Sequence, residues 1–188
     1  MSEPTSPLHI PDFRLFWLAR FASVVGTVGM VVIIGYQLYD TARGQYGMSM
    51  AQAAFQLGLL GLAQFVPLFI FTPVAGVIAD RYDRRTVAAV ATALDLAIAL
   101  TMAAATQLGA LSLPLLFSLA ALHGTARVFI GPAMSAFAPN IVPAALMPRA
   151  VALSSMAWQT GSIGGPALAG LLFAVGPALP YWTAAALL

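Results

Sequence analysis

Between Phe16 and Val175 the sequence is a succession of five long apolar runs, separated by short stretches that hold most of its charge. A helix needs about 20 consecutive apolar residues to cross the hydrocarbon core of a bilayer. The runs extend over about 16–39, 53–79, 86–106, 113–136 and 150–175. They are continuous, whereas the strands of a membrane barrel alternate over about ten residues. The pattern therefore predicts an all-α fold, a polytopic membrane helix bundle with five full spans. A sixth run begins near Ala178 and covers 178–188. That is too short to cross, so an incomplete sixth helix and a truncated chain are expected. Residues 1–15 read as a cytoplasmic N-terminal segment and 16–188 as the transmembrane bundle.

Composition narrows the function classes. The chain is 61% apolar and 7% charged, against about 45–50% and about 25% in soluble domains. So little charge excludes a soluble globular enzyme and a disordered chain. The absence of cysteine excludes a disulfide framework and a thiolate nucleophile. Two histidines and six acids leave little for a metal centre. No nucleophile–base pair and no phosphate loop is visible, so no enzyme activity, cofactor or metal is expected. A net charge of +2 gives no reason to expect a nucleic-acid partner; the primary partner is the lipid bilayer.

Arginine placement sets the expected orientation. If the spans alternate, Arg14, Arg20, Arg81, Arg84, Arg85 and Arg149 share one side, and Arg43 alone lies on the other. The excess marks the cytoplasmic side, which places the N-terminus there. Phe16 and Trp17 then sit at the inner interface, with Tyr36 and Tyr39 at the outer one. The first span is too long for a signal-peptide core, and no A-x-A site follows it.

Pro67 and Pro73 interrupt the second run, where each removes a donor and tends to kink the helix. Ala157, Gly161, Gly165 and Ala169 recur every four residues and so share one face of the fifth helix. Small residues there admit a neighbouring backbone closely. The adjoining Gly164, Pro166 and Gly170 make the cluster dense, as in a helix that flexes or seals against a partner. Gln64, Gln159, Trp158, Ser118 and Thr27 are polar or amphipathic groups within spans. They suit either interhelical hydrogen bonding or the lining of a solute cavity.

Asp95 and Arg127 are ionisable groups near mid-membrane. At 1.5 Å per residue, each lies roughly 13–14 Å from the cytoplasmic boundary on helices of opposite direction. Their depths match. His123, Arg127 and Gly131 are spaced by four and share a face of the fourth helix. Charges at this depth are costly and point to function. The expectation is an Asp95–Arg127–His123 network that binds and releases a proton; a static ion pair that fixes helix packing is the alternative.

The second loop reads Gly76-Val-Ile-Ala-Asp80-Arg81-Tyr-Asp83-Arg84-Arg85. Asp80 sits at a helix C-terminus, where the helix dipole repels it. It is better placed facing an arginine or another helix N-terminus, with Gly76 allowing that neighbour to approach. The loop is thus expected to act as an electrostatic latch. This stretch resembles the G-x-x-x-D-R-x-G-R-R signature of the major facilitator superfamily, with Asp83 in place of the usual Gly and Ile78 where Leu is frequent. The D-R-x-D-R-R form looks like the branch that holds the enterobactin exporter and related multidrug effluxers. Arg127-Val-Phe-Ile-Gly131 resembles the family's fourth-helix motif, which the family links to proton transfer. Gly161-Ser-Ile-Gly164-Gly165-Pro166-Ala-Leu-Ala169-Gly170 is similar to its fifth-helix antiporter motif, with Ala169 where Gly is often found. Phe13-Arg14-Leu-Phe16-Trp17 resembles that branch's entry into helix one. Between Arg20 and Tyr39 there is no acid, unlike some drug/proton antiporters.

The resemblance implies the N-terminal half of a two-half secondary transporter. It implies proton-coupled export of a small amphipathic compound, drug or siderophore in class, from a bacterial plasma (inner) membrane. The implied partners are the substrate, the proton and a missing C-terminal half or second copy. An importer or symporter of the same fold, and a non-transporting membrane fragment or scaffold, remain open alternatives.

Overall fold

The computed structural model of the chain describes residues 6–135 and 141–188, without the side chains of Ala79, Asp80, Arg84 and residues 132–135. Among the described residues, a 3-10 turn at Pro7–His9 is followed by six α-helices, with a second 3-10 turn, Ala144–Leu146, before the fifth. They are α1 (Pro11–Gly44), α2 (Met50–Arg81), α3 (Arg84–Gln107), α4 (Leu113–Ser135), α5 (Met147–Val175) and α6 (Leu179–Leu187). No strand occurs among the described residues.

Local chemistry explains the helix ends. Pro11 opens α1, where its missing N–H costs nothing. Ser49 and Gln52 form a capping box at the start of α2, each side chain accepting from the other's backbone N–H at 3.3 and 2.8 Å. Gly109, at φ +63°, closes α3 with N–H bonds from Gly109 to Thr106 and from Ala110 to Ala105. That is the left-handed stop that only glycine adopts without cost.

α1 is longer than its predicted span. At 34 residues it measures about 51 Å, against a core of about 30 Å, so it carries Asp12, Arg14 and Arg43 beyond the apolar zone. Pro67 and Pro73 lie inside α2, which remains one helix throughout. Each proline removes one backbone donor without ending the helix.

Four helices are long and apolar enough to cross a membrane among the described residues: Pro11–Gly44, Met50–Ile78, Arg85–Gln107 and Leu113–Gly131. The fifth expected span is not among them. α5 has the length, 29 residues, but Gln159, Thr160, Ser162 and the clustered glycines dilute its hydropathy.

Contacts between helices fix their directions. Trp17 Nε1 donates to the Leu153 carbonyl at 2.8 Å, and the rings of Tyr36 and Phe173 meet edge-on with centroids 4.9 Å apart. α1 and α5 therefore run parallel. Thr27 meets Asp95, and Gln37 Nε2 donates to Thr106 Oγ1 at 3.1 Å, so α1 and α3 also run parallel. α4 opposes α3, because only residues 108–112 join them and Asp95 meets His123 midway along both.

The core centres on α1. Met30, Ile34 and Leu38 of α1 pack with Ile98 and Met102 of α3, Leu116 of α4 and Tyr181 of α6. Lipid tails are as apolar as leucine, so burial gives little drive between membrane helices and close backbone approach must substitute. The α1–α5 contact shows this. Ala150, Ala157, Gly161, Gly165 and Ala169 form the buried face of α5. A Cβ added at Gly165 would lie 2.6 Å from the Val25 carbonyl oxygen, and one at Gly161 would lie 2.8 Å from Val24 Cγ1. α2, by contrast, is almost wholly exposed. It packs mainly on α4, closely at Gly124, where a Cβ would meet the Gln64 carbonyl oxygen at 2.6 Å.

Candidate functional site

Three helices bring polar side chains together in the middle of the bundle. Asp95 lies near the centre of α3 and His123 near the centre of α4; both are 0% exposed. His123 Nδ1 lies 2.5 Å from Asp95 Oδ1. Thr27 of α1 donates its hydroxyl to Asp95 Oδ2 at 3.1 Å. These two neighbours occupy one carboxylate oxygen each. His123 Nε2 is buried with no partner among the described residues.

The expected network is thus rearranged. Asp95 and His123 meet, but Arg127 makes no ion pair with Asp95 within 4 Å. Half-buried one turn beyond His123, Arg127 acts on Asp95 only as a charge through space. Matching depth does not place two groups on facing sides of their helices, and α4 turns His123 to Asp95 instead. Thr27, which the sequence offers only as one polar group within a span, is the third member. Nothing in its neighbourhood along the chain signals that role, because the contact spans 68 residues.

The other expected residues fall in several places. The side chains of Asp80 and Arg84 lie outside the described residues, so the latch they would form is not seen. Arg81 and Arg85 are exposed. Asp83 is the N-cap of α3, its Oδ1 accepting from the Arg85 backbone N–H at 3.1 Å. Capping explains this interleaved acid by local chemistry, and an Asp just before an apolar helical run is a legible signal. Gly76 meets no described atom within 4 Å of an added Cβ, so the close neighbour expected there is not seen. Gly131 at the end of the fourth-helix motif is exposed.

The fifth-helix motif divides. Gly161 and Gly165 are buried on α1, while Gly164 and Gly170 face outward with nothing near an added Cβ. The small-residue stripe therefore seals within this chain. Pro166 is half-buried between the two faces. Gln159, Trp158 and Ser118 are exposed on the bundle surface, and Gln64 is half-buried. At the end that carries the α2–α3 connection, a crevice of about 440 Å³ is lined mainly by apolar groups, including Ile78, Tyr82, Val90, Leu94 and Phe129. Among the described residues no cluster of histidine and acids suits a metal.

The acid–imidazole pair is thus buried at the centre of an apolar helix bundle. Residues 2–187 match the family described as transmembrane secretion effector, within the major facilitator superfamily. The chain belongs to this family of membrane transporters. It is accordingly an integral, multi-pass membrane protein of a transporter family and not of an enzyme family. It is 31% identical over 168 residues to the enterobactin exporter EntS of Shigella dysenteriae, covering 88% of this chain and 38% of the exporter. The EntS protein of Citrobacter koseri matches at the same identity and coverage. An uncharacterized MFS-type transporter of Mycobacterium bovis is 30% identical over 155 residues, covering 82% of this chain and 33% of that protein. The chain thus spans little more than a third of the length of these relatives.

Proposed function

We propose that the chain supplies the N-terminal half of a secondary active exporter that exchanges a small amphipathic compound, drug or siderophore in class, for protons. The observation that carries the reading is the Thr27–Asp95–His123 cluster, a fully buried ionisable pair within the membrane. A charge kept at such cost in a transporter family is the natural seat of a coupling ion. The kinship with enterobactin exporters supports the direction and the substrate class.

In this reading α5 completes a fifth span and α6 begins the sixth. The N-terminus faces the cytoplasm of a bacterial inner membrane, and Asp80, Arg81, Arg84 and Arg85 latch that side. A second bundle, either a C-terminal half or another copy, closes the substrate path against the exposed face of α2. The two halves rock to alternate access. Arg127 balances the charge of the cluster from one turn away.

The test is substrate movement in everted vesicles that carry the complete transporter. A proton gradient, acid inside, is expected to drive uptake of a siderophore-class or amphipathic probe, and Asp95→Asn to abolish the drive. Accumulation in the reverse direction would replace export by import. A band near 19.5 kDa on an immunoblot of native membranes, with no transport, would leave a non-transporting scaffold.

A further inference from the structure

The buried cluster has one polar atom with nothing to do. His123 Nε2 is fully enclosed and has no hydrogen-bond partner among the described residues. Buried polar atoms are nearly always satisfied, and each exception needs a reason. Asp95 Oδ2 is taken by the Thr27 hydroxyl and Oδ1 by His123 Nδ1. With Asp95 ionised, the carboxylate only accepts, the imidazole hydrogen sits on Nδ1, and the neutral ring carries its lone pair on Nε2.

We infer that His123 Nε2 is the proton-accepting atom of this chain, and that Thr27 is a positioning residue that holds Asp95 ionised as the counter-ion. The inference deepens the proton-coupled reading and rests on it for its transport meaning. The step is a simple addition: a proton forms an N–H bond with the Nε2 lone pair, no bond breaks and no electron is transferred. The pair passes from a single negative charge to an internally neutral imidazolium–carboxylate.

The surrounding helices leave few other charges to interfere. α3 contributes Asp95, α4 contributes Arg127, α6 contributes the buried Tyr181, and α5 has no ionisable side chain beyond Arg149. α1 has no ionisable side chain between Arg20 and Tyr36, and α2 has none between Met50 and Ala79. α2 reaches this level through the Gln64 backbone, packed on Gly124 beside His123. Arg127 favours the deprotonated pair, and Asp95 favours the protonated ring. A proton on Nε2 thus changes the net charge of the Asp95–His123–Arg127 group from zero to positive within the membrane. That is the kind of change a helix bundle can read as a signal to rearrange.

The chain's two histidines make the test direct. Nitrogen-15 histidine labelling of the full chain in phospholipid nanodiscs gives two imidazole spectra, and His9→Gln leaves one. At alkaline pH His123 is expected to show Nδ1–H and a bare Nε2. Acidification from about pH 9 to about pH 5 is expected to add N–H at Nε2 while Nδ1–H stays bonded. Thr27→Val removes a donor to the carboxylate. The titration of His123 in folded Thr27→Val should therefore be displaced from that of the native chain, and Thr27→Ser should restore it.

Nε2–H with a bare Nδ1 at alkaline pH in the native chain would overturn the assignment without any variant. So would a ring that takes up no proton across the range. A midpoint unmoved in folded Thr27→Val removes Thr27 from its role. Proton-driven efflux with a silent His123 sinks this inference and leaves export standing, whereas a titrating His123 without proton-driven efflux sinks the export reading alone.

Discussion

Two adjacent glycines of α5 are expected to respond in opposite ways to the same substitution. At Gly165 an added Cβ would lie 2.6 Å from the Val25 carbonyl oxygen and 3.2 Å from the Gly29 nitrogen. Ordinary contact begins at 3.4 Å, so α1 and α5 must part locally by about 0.8 Å. The obstacle is backbone, which no rotamer change can move aside. Overpacking of this kind costs about 1–3 kcal/mol. Alanine recovers at most about 1 kcal/mol of helix propensity over glycine. Gly165→Ala should therefore destabilise the bundle by up to about 2 kcal/mol. At Gly164 an added Cβ meets nothing within 4 Å. Only the propensity effect remains there, so Gly164→Ala should be neutral or stabilising by up to about 1 kcal/mol. Reversible denaturation of both variants in mixed micelles, followed by circular dichroism, measures the difference. Equal shifts of the same sign in the two variants would refute the α1–α5 register on which the reasoning rests.

Further outcomes follow from other contacts. Asp83→Ala removes the α3 cap and should cost about 1 kcal/mol, whereas Asp83→Ser should cost a few tenths; thermal unfolding in detergent separates them. Because the chain lacks cysteine, Tyr36→Cys with Phe173→Cys gives one engineered pair at the edge-on ring contact. A short bis-methanethiosulfonate cross-linker should join them within one chain, and failure to react would contradict parallel packing of α1 and α5. Gly124→Leu should force α4 from the Gln64 backbone and lower the unfolding temperature, while Gly58→Leu, with open space around it, should not.

The resemblance to the family rested on the Asp80–Arg85 loop, Arg127 with Gly131, and the Gly161–Gly170 stretch, and the family match over residues 2–187 agrees with it. Four of the spans were legible because a bilayer-crossing helix must satisfy its backbone internally and cover itself with apolar side chains. That requirement is written along the chain. The fifth run illustrates its limit: α5 is helical and long, yet its polar and small residues keep it outside the hydropathy of the other four. The four-residue spacing of Ala157, Gly161, Gly165 and Ala169 showed that they share a face, because helical geometry is local. It did not show that α1 is what covers that face.

Which charge meets which was decided only in three dimensions. Depth along a helix follows from counting residues, and it placed Asp95 and Arg127 level. Azimuth relative to a neighbour depends on how the helices rotate to bring Gly165 onto Val25 and Gly124 onto Gln64. That rotation turned His123 toward Asp95, brought Thr27 across 68 residues of sequence to its second oxygen, and left Arg127 one turn away. Local sequence fixes a helix and its faces; the partner of each face is a property of the whole packed bundle.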